Sequence, residues 1–412
     1  MRRFALAAAI IAASISTHAW AQETMTLEEA LAMAGVEDSS DEQPSSNPRV
    51  YGPQAEEVAA RAAIDQARLR PNPQLSVEVE DFAGSGAFSG LRSTEYTLAI
   101  GQQIELGGKR RARIESAEGS ARLAGLSRDL ARADLALAVR QRFVEAVAAA
   151  QRLELANEIV ERSRELARIA NVLVEVGREP PLRAMRAEAA LAEAMAEAQA
   201  AQADDLAARQ ALAALWVSDD PAPQVRGTFP ELTPPLSATS DEQALPLRLA
   251  NARSDVATAE IARERSLGLP DPTISAGVRR FEERGDHAFI VGISVPLPFG
   301  NRNQGNIAAA EARARAAQAD EAIAEADFRL DLERTRTQYR AAESRVETLR
   351  QASLPQAEEA LRLVEIGYRN GRFPLIEVLA AAKARDAIRE NLIQAEETRG
   401  ILAARLIWLT AE

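Results

Sequence analysis

Zinc and soft-metal chemistry needs clustered Cys, His and Met, and nucleophilic catalysis needs a nucleophile beside a base. This chain is poor in such groups: it has no Cys and two His, of which His18 lies in an apolar leader. That leaves His287 in the mature chain, in the connection of a predicted hairpin, while Met25, Met33, Met185 and Met195 form no cluster. Neither a zinc site nor a soft-metal relay can be built from these ligands, so no enzyme, cofactor or metal centre is expected. Two other sets ask for a reason. Lys109, Arg110, Arg302 and Asn303 stand at the first turn of two predicted long helices. A helix N-terminus disfavours cations, so a reason outside the helix is expected, such as anionic lipid headgroups; simple solvation is the alternative. Tyr368, Arg369, Asn370 and Arg372 surround Gly371 and can bond to neighbouring helices. Exposed pairs are worth only ~0–1 kcal/mol each, so this second set matters only where helices converge.

The elements that carry these residues occur twice. Tyr96–Ile100 aligns with Phe289–Ile293 at an offset of 193, and Ile114 falls on Ile307. Upstream, Arg70-Pro71-Asn72-Pro73 matches Leu269-Pro270-Asp271-Pro272, and downstream Gly177-Arg178-Glu179-Pro180 matches Gly371-Arg372-Phe373-Pro374. Landmarks repeated in one order mark an internal duplication. The division is 22–218 for the first repeat, 219–246 for a Pro-rich linker and 247–412 for the second.

Each repeat holds two segments of period-2 patterning. Leu75, Val77 and Val79 oppose Ser76, Glu78 and Glu80, and Tyr96, Leu98 and Ile100 oppose Thr97, Ala99 and Gly101. Ile274, Ala276 and Val278 likewise oppose Ser275, Gly277 and Arg279, and Phe289, Val291 and Ile293 oppose Ile290, Gly292 and Ser294. Strands of about nine to eleven residues suit an outer-membrane barrel; a soluble hairpin packed on helices fits the same pattern. Four strands cannot close a barrel, and an open edge in lipid leaves backbone groups unpaired. A membrane reading therefore needs several chains, and three would supply twelve strands.

Lys109 to Val176 contains no proline, which predicts a helix of roughly 100 Å. Val139, Phe143, Ala146, Ala150 and Leu153, then Leu166, Ile169, Leu173 and Val176, follow the spacing of coiled coils. A matching helix is expected from about Asn303 to Tyr368, with Pro355 kinking it. Further helices are predicted at 53–69, 182–217, 247–267 and 375–410, with a solvated acidic, Ser-rich loop at 37–46. The fold class is thus mainly α with a small β part.

Composition fits an exported protein. Arg2 and Arg3, an apolar run from Phe4 to Ile15 and Ala19-Trp20-Ala21 read as a signal peptide of residues 1–21, cleaved before Gln22. Without Cys there is no lipid-bearing N-terminal residue, and the formal charge of −12 argues against a nucleic-acid partner.

The doubled strand-to-helix unit, Pro71-Asn72-Pro73, Pro270-Asp271-Pro272, Gly108-Lys109-Arg110, Arg302-Asn303-Gln304-Gly305 and Leu354-Pro355-Gln356-Ala357 resemble the TolC-like outer membrane factors. The Gly-Lys-Arg and Arg-Asn-Gln-Gly signatures are most similar to the CzcC-type heavy-metal branch. The resemblance implies a homotrimer in outer membrane lipid, with a twelve-stranded barrel continued by a periplasmic α-helical barrel. Its implied partners are a periplasmic adaptor (membrane fusion protein) and an inner-membrane pump of the resistance-nodulation-division type. The function implied is export of cobalt, zinc or cadmium; a duct for multidrug efflux or type I secretion has the same outline. A soluble coiled-coil adaptor carries one helical hairpin, whereas two alternate with strand pairs here. In the family, acidic residues narrow the periplasmic mouth, and alignment on Gly371 and Val378-Leu379 places Glu377 at the first such position and Ala380 at the second. Tyr368, Arg369, Asn370 and Arg372 join this expected gate, and Gly177, Arg178, Glu179, Pro180, Gly371 and Pro374 form tips for adaptor docking. The first hairpin has Arg183 at the place of Glu377. The segment Gly35–Ser46 departs from the family by interrupting its N-terminal helix.

Overall fold

The computed structural model describes residues 24–36, 45, 47–216, 223–225, 227–235 and 244–411. The expected signal peptide lies outside the described residues, as do most of 37–46 and parts of 219–246. The elements run α1 (Leu27–Met33), α2 (Pro48–Arg68), β1 (Gln74–Glu80), β2 (Glu95–Gln103), α3 (Lys109–Glu175) and α4 (Pro181–Ala213). The second series is α5 (Leu245–Leu267), β3 (Thr273–Phe281), β4 (Asp286–Ser294), α6 (Gln304–Thr348), α7 (Leu354–Arg369) and α8 (Leu375–Leu409). Helix dominates and the strands form one small sheet.

Asn47 starts α2 and fixes its place. Its side-chain oxygen accepts from Arg49 N–H at 3.0 Å, capping the helix ahead of Pro48. Its amide nitrogen donates to Ala34 O at 3.0 Å and Leu215 O at 2.8 Å, so one buried side chain ties the N-terminal segment to the end of α4. The helix expected from Pro53 therefore begins at Pro48 and runs through Pro53. Ser45 corrects the expectation of a solvated loop at its end: it is buried, and its N–H donates to Gln54 Oε1 at 2.7 Å.

At 67 residues α3 is roughly 100 Å long. Val139, Phe143 and Ala146 of its expected seam are buried in a core with Met25, Val50, Leu212 and Val225. Toward the distal end the buried positions shift to Ala167 and Ala170, while Val176 is exposed. Alanine there lets helices approach closely, which outweighs the larger apolar residues beside it. The kink expected at Pro355 appears as a π-turn, Leu349–Ser353, between α6 and α7. The wider turn relieves the clash of the proline ring with the preceding carbonyl. It also explains why the repeat offset grows from 193 at Ile114–Ile307 to 194 at Gly177–Gly371, because a π-turn absorbs one residue.

The strands pair antiparallel in the order β1-β2-β3-β4, so the two hairpins join along β2 and β3. His287 lies on β4 opposite Arg280, not in the connection, because β4 begins at Asp286. Among the described residues no helix is long and apolar enough to cross a membrane.

Candidate functional site

The sheet turns its apolar residues outward. Val77, Leu98, Val278 and Phe289 line up across the four strands. Phe289, Val291 and Ile293 are 91%, 76% and 71% exposed, and Leu75 and Val77 are 70% exposed. An apolar face of this extent is an aggregation hazard in water and the expected lipid face of a barrel strand. The other face carries Arg279, whose guanidinium donates to Thr97 at 2.9 Å and pairs with Glu95 at 2.7 Å and Glu80 at 2.8 Å. Glu80 and Glu95 are direct cross-strand partners. Like charges so placed repel, and Arg279 holds them together. Sequence reasoning put Arg279 on the wet face without seeing this network; the signal was a lone cation among small residues.

Below the sheet, the strand-to-helix junction is locked across the two repeats. Gly107 and Gly108 both adopt left-handed φ, and a Cβ on Gly107 would sit 2.4 Å from Leu269. This turn delivers Lys109 into a buried site, where its Nζ lies 2.6 Å from Asp271 Oδ1 and donates to Leu269 O at 2.6 Å. Asp271 also accepts from Leu106 N–H at 2.9 Å and Gln103 Nε2 at 3.0 Å. Burial pushes the Asp271 carboxyl up, but Lys109 and these two donors outweigh it and hold it below the usual carboxylate range. Arg110 donates to Arg68 O at 2.8 Å, and Arg113 to Ala67 O and Leu69 O, all carbonyls at the end of α2. A helix C-terminus attracts cations. Asn303 donates to Glu264 O and Oε2 near the end of α5. Of the four residues expected to face headgroups, Lys109 is thus buried in an ion pair, Arg110 and Asn303 are bonded to neighbouring helix ends, and Arg302 is exposed with a 3.3 Å bond to Pro298 O. Asp271, in a motif read only as a landmark of the duplication and of the family resemblance, is the residue that explains Lys109.

At the distal end, Gly177 and Gly371 take φ of 68° and 69° and close similar turns. Arg178 N–H bonds Leu173 O at 2.9 Å and Arg372 N–H bonds Gly367 O at 2.8 Å, the pattern that ends a helix on a left-handed glycine. Pro180 and Pro374 precede the return helices. Ala167, Ala170, Ala187, Leu361, Leu375, Val378 and Ala382 pack both tips into one core, with Tyr368 against it. Tyr368 thus packs against Ala167, Ala170 and Ala187 of the first hairpin, and burial, then the nearby Glu179 carboxylate, raises its hydroxyl's pKa against the opposing effect of Arg183. Glu179 is paired with Arg183 at 2.7 Å. Glu377, Arg369 and Arg372 are exposed and form no ion pair among the described residues. Asn370 bonds back to Ile366 O at 2.8 Å. The structure therefore brings Tyr368, Glu179 and Arg183 together, folds Asn370 back onto its own helix, and leaves Glu377, Arg369 and Arg372 exposed.

Between the ends, charged pairs fasten α3 to α8. Arg152 pairs with Glu390 at 2.9 Å and Glu397 at 2.6 Å, Arg162 with Asp386 at 2.6 Å, and Glu158 with Arg389. The Arg389 hydrogen bonds hold the Glu158 carboxyl below its ordinary range. These pairs were missed because residues some 230 apart share no local pattern. Among the described residues, no group of three or more His, Cys, Asp or Glu is placed to hold a metal ion.

A single four-stranded sheet with an apolar outer face is set on a long helical shaft. The model of the outer membrane efflux protein family matches residues 41–217 and 238–412. The chain belongs to the outer membrane efflux protein family. Within this efflux family it is 31% identical, over 87% of its length and 83% of the relative's, to the cobalt-zinc-cadmium resistance protein CzcC of Cupriavidus metallidurans. It is 32% identical to the nickel-cobalt-cadmium resistance protein NccC of Alcaligenes xylosoxydans xylosoxydans, over 63% of this chain and 60% of that one. Its fold is similar to that of CusC, with a TM-score of 0.76 at 17% identity, covering 93% of this chain and 91% of the other. The Campylobacter jejuni CmeC outer membrane channel superposes with a TM-score of 0.77 at 14% identity, over 99% of this chain and 93% of that one.

Proposed function

We propose that this efflux-family chain is the outer-membrane exit duct of a heavy-metal efflux pump, carrying cobalt, zinc or cadmium out of the periplasm. The observation that carries the reading is a membrane-ready sheet on a shaft of roughly 100 Å in a chain whose relatives are metal-resistance proteins. Three copies form the duct, giving a twelve-stranded barrel above a helical barrel. The tips at Gly177–Pro180 and Gly371–Pro374 meet a periplasmic adaptor, which joins the duct to a resistance-nodulation-division pump in the inner membrane. The chain reaches the outer membrane after removal of its first 21 residues.

The gate lies at the distal tips. Glu377 of three copies forms a carboxylate ring that attracts cations, since like charges held together favour counter-charge. Tyr368, Arg369, Asn370 and Arg372 surround it, with Tyr368 bridging to the first hairpin. With no cluster of metal ligands along the described residues, ions pass hydrated and the pump sets the choice of ion.

Growth of a deletion strain across cobalt, zinc, cadmium, nickel, copper and silver salts, beside antibiotics and detergents, tests this. Sensitisation to metals is expected. Sensitisation to antibiotics alone moves the duct to a multidrug pump.

A further inference from the structure

The outward face of the sheet ends differently at its two ends. It is apolar from the row of Leu75 and Ile100 to that of Val77, Leu98, Val278 and Phe289. The next row, beside the hairpin connections, sets Val79, Tyr96, Arg280 and His287 as direct partners across the four strands. Arg280 and His287 are exposed, and Tyr96 is 41% exposed. Among the described strand residues Arg280 and His287 are the only basic side chains on this face, and no acidic one shares it. The opposite end carries Gln102 beside Ile274 and Ile293. Its amide is already engaged within the chain, donating to Pro71 O at 2.9 Å and Gln103 O at 3.0 Å.

The row thus places three hydrogen-bond donors side by side, directly above an apolar surface. Adjacent strands lie about 4.8 Å apart, so the phenol, guanidinium and imidazole are spread over roughly 10 Å. A guanidinium fits phosphate through two parallel N–H bonds, an imidazole offers an N–H in either charge state, and tyrosine suits a site with one apolar and one wet end. Arg280 has one partner, Glu282, at 3.2 Å from its Nε. Both side chains are about half exposed, and a pair of that kind is weak. The other guanidinium nitrogen, Nη1, has no partner among the described residues. Glu80, Glu95 and Asp286, the acids of this end, alternate onto the wet face and do not share the row.

We propose that Tyr96, Arg280 and His287 bind the phosphate of a lipid in the outer leaflet, whose acyl chains lie along Leu98, Val278 and Phe289. This rests on the duct reading, which sets the hairpin connections outermost, and adds a ligand to it. The one-sided placement is what selects the leaflet: a row that met any headgroup would recur at the periplasmic end, where Gln102 stands instead. The Arg280 contact orients the phosphate and the apolar rows hold the tails, so recognition needs both parts of the lipid.

The test uses the full-length chain, extracted from the outer membrane in non-ionic detergent and stripped of lipid. Native mass spectrometry follows its titration with lipid A, with dephosphorylated lipid A, and with lipid A in the presence of excess inorganic phosphate. The variants are Arg280→Gln with His287→Gln, and Arg284→Gln as a control, an exposed cation in the β3–β4 turn and off the row. Dephosphorylation and the double variant should each weaken binding about tenfold or more, as expected for loss of charge-assisted hydrogen bonds. Arg284→Gln and inorganic phosphate should leave it unchanged. Equal binding of phosphorylated and dephosphorylated lipid by the wild type overturns the proposal without recourse to any variant. An equal loss in Arg284→Gln reveals diffuse charge attraction and overturns the row, and displacement by inorganic phosphate reveals a free-anion site and overturns the lipid. Phosphate-blind binding by a chain recovered in the outer membrane removes this site and leaves the duct. Recovery of the wild type in the soluble periplasmic fraction would instead remove the duct reading, and the site with it.

Discussion

The Lys109–Asp271 pair offers a sharp quantitative test of how the two repeats are joined. Both side chains are about nine-tenths buried, and Asp271 accepts two further hydrogen bonds. Removing one member of a buried pair leaves an uncompensated charge and costs about 3–5 kcal/mol. Lys109→Met should therefore loosen the junction by at least about 3 kcal/mol, roughly a 150-fold change in a local opening constant. The readout is amide exchange at Leu106, whose N–H is held by Asp271 at 2.9 Å; local protection reports junction opening even where global unfolding is irreversible. Asp271→Leu should lose a similar amount, and the double variant Lys109→Met with Asp271→Leu less than the sum, since partners in contact couple by about 0.5–3 kcal/mol. The pH dependence has a fixed sign. The folded Asp271 carboxyl lies below its ordinary value, so its contribution is complete above the unfolded value of about 3.9 and is lost as pH falls through the folded one. Protection should be flat from neutral pH to about 5 and fall only under more acid conditions. Equal exchange in wild type and Lys109→Met, or additive losses, would refute the junction as a coupled lock.

Other expectations address the mouth, the turn and the sheet. Glu377→Ala should weaken block of single-channel conductance by divalent cations in planar bilayers, and unchanged block removes Glu377 from the gate. Gly107→Ala should lower thermal stability by about 1–3 kcal/mol from the left-handed backbone alone, and more through contact with Leu269. Gly108→Ala has the same φ penalty with nothing within 4 Å, so its loss should be the smaller of the two, and the reverse order contradicts the junction geometry. Arg279→Ala leaves Glu80 opposite Glu95 without a counter-charge. The reversal potential in a salt gradient should shift toward cation selectivity, and no shift would place Arg279 away from the conducting face.

The strand faces and the long helices were legible because each follows a short period that survives in the linear sequence. Pro355 announced a break but not its form, because whether a proline kinks a helix or is absorbed by a π-turn depends on one extra residue in the register. The cations at the start of α3 were legible as an anomaly. Their partners, Asp271 and the end of α2, come from distant segments and became visible only when the turn at Gly107-Gly108 set the direction of Lys109. Arg152 and Glu390 show the same limit: each reads as one more charge on a polar helix face until α3 and α8 are side by side. Asn47 carries a clear local signature, a helix cap before proline, which places the helix start ahead of the one expected at Pro53.

The most direct test of the duct is metal export itself. Cells of the deletion strain, loaded with radioactive zinc, cobalt or cadmium while the cognate pump and adaptor are present, should retain the ion, and the chain supplied on a plasmid should restore its loss. Undiminished metal efflux from the deletion strain, with no other duct of the family expressed, would contradict the assignment.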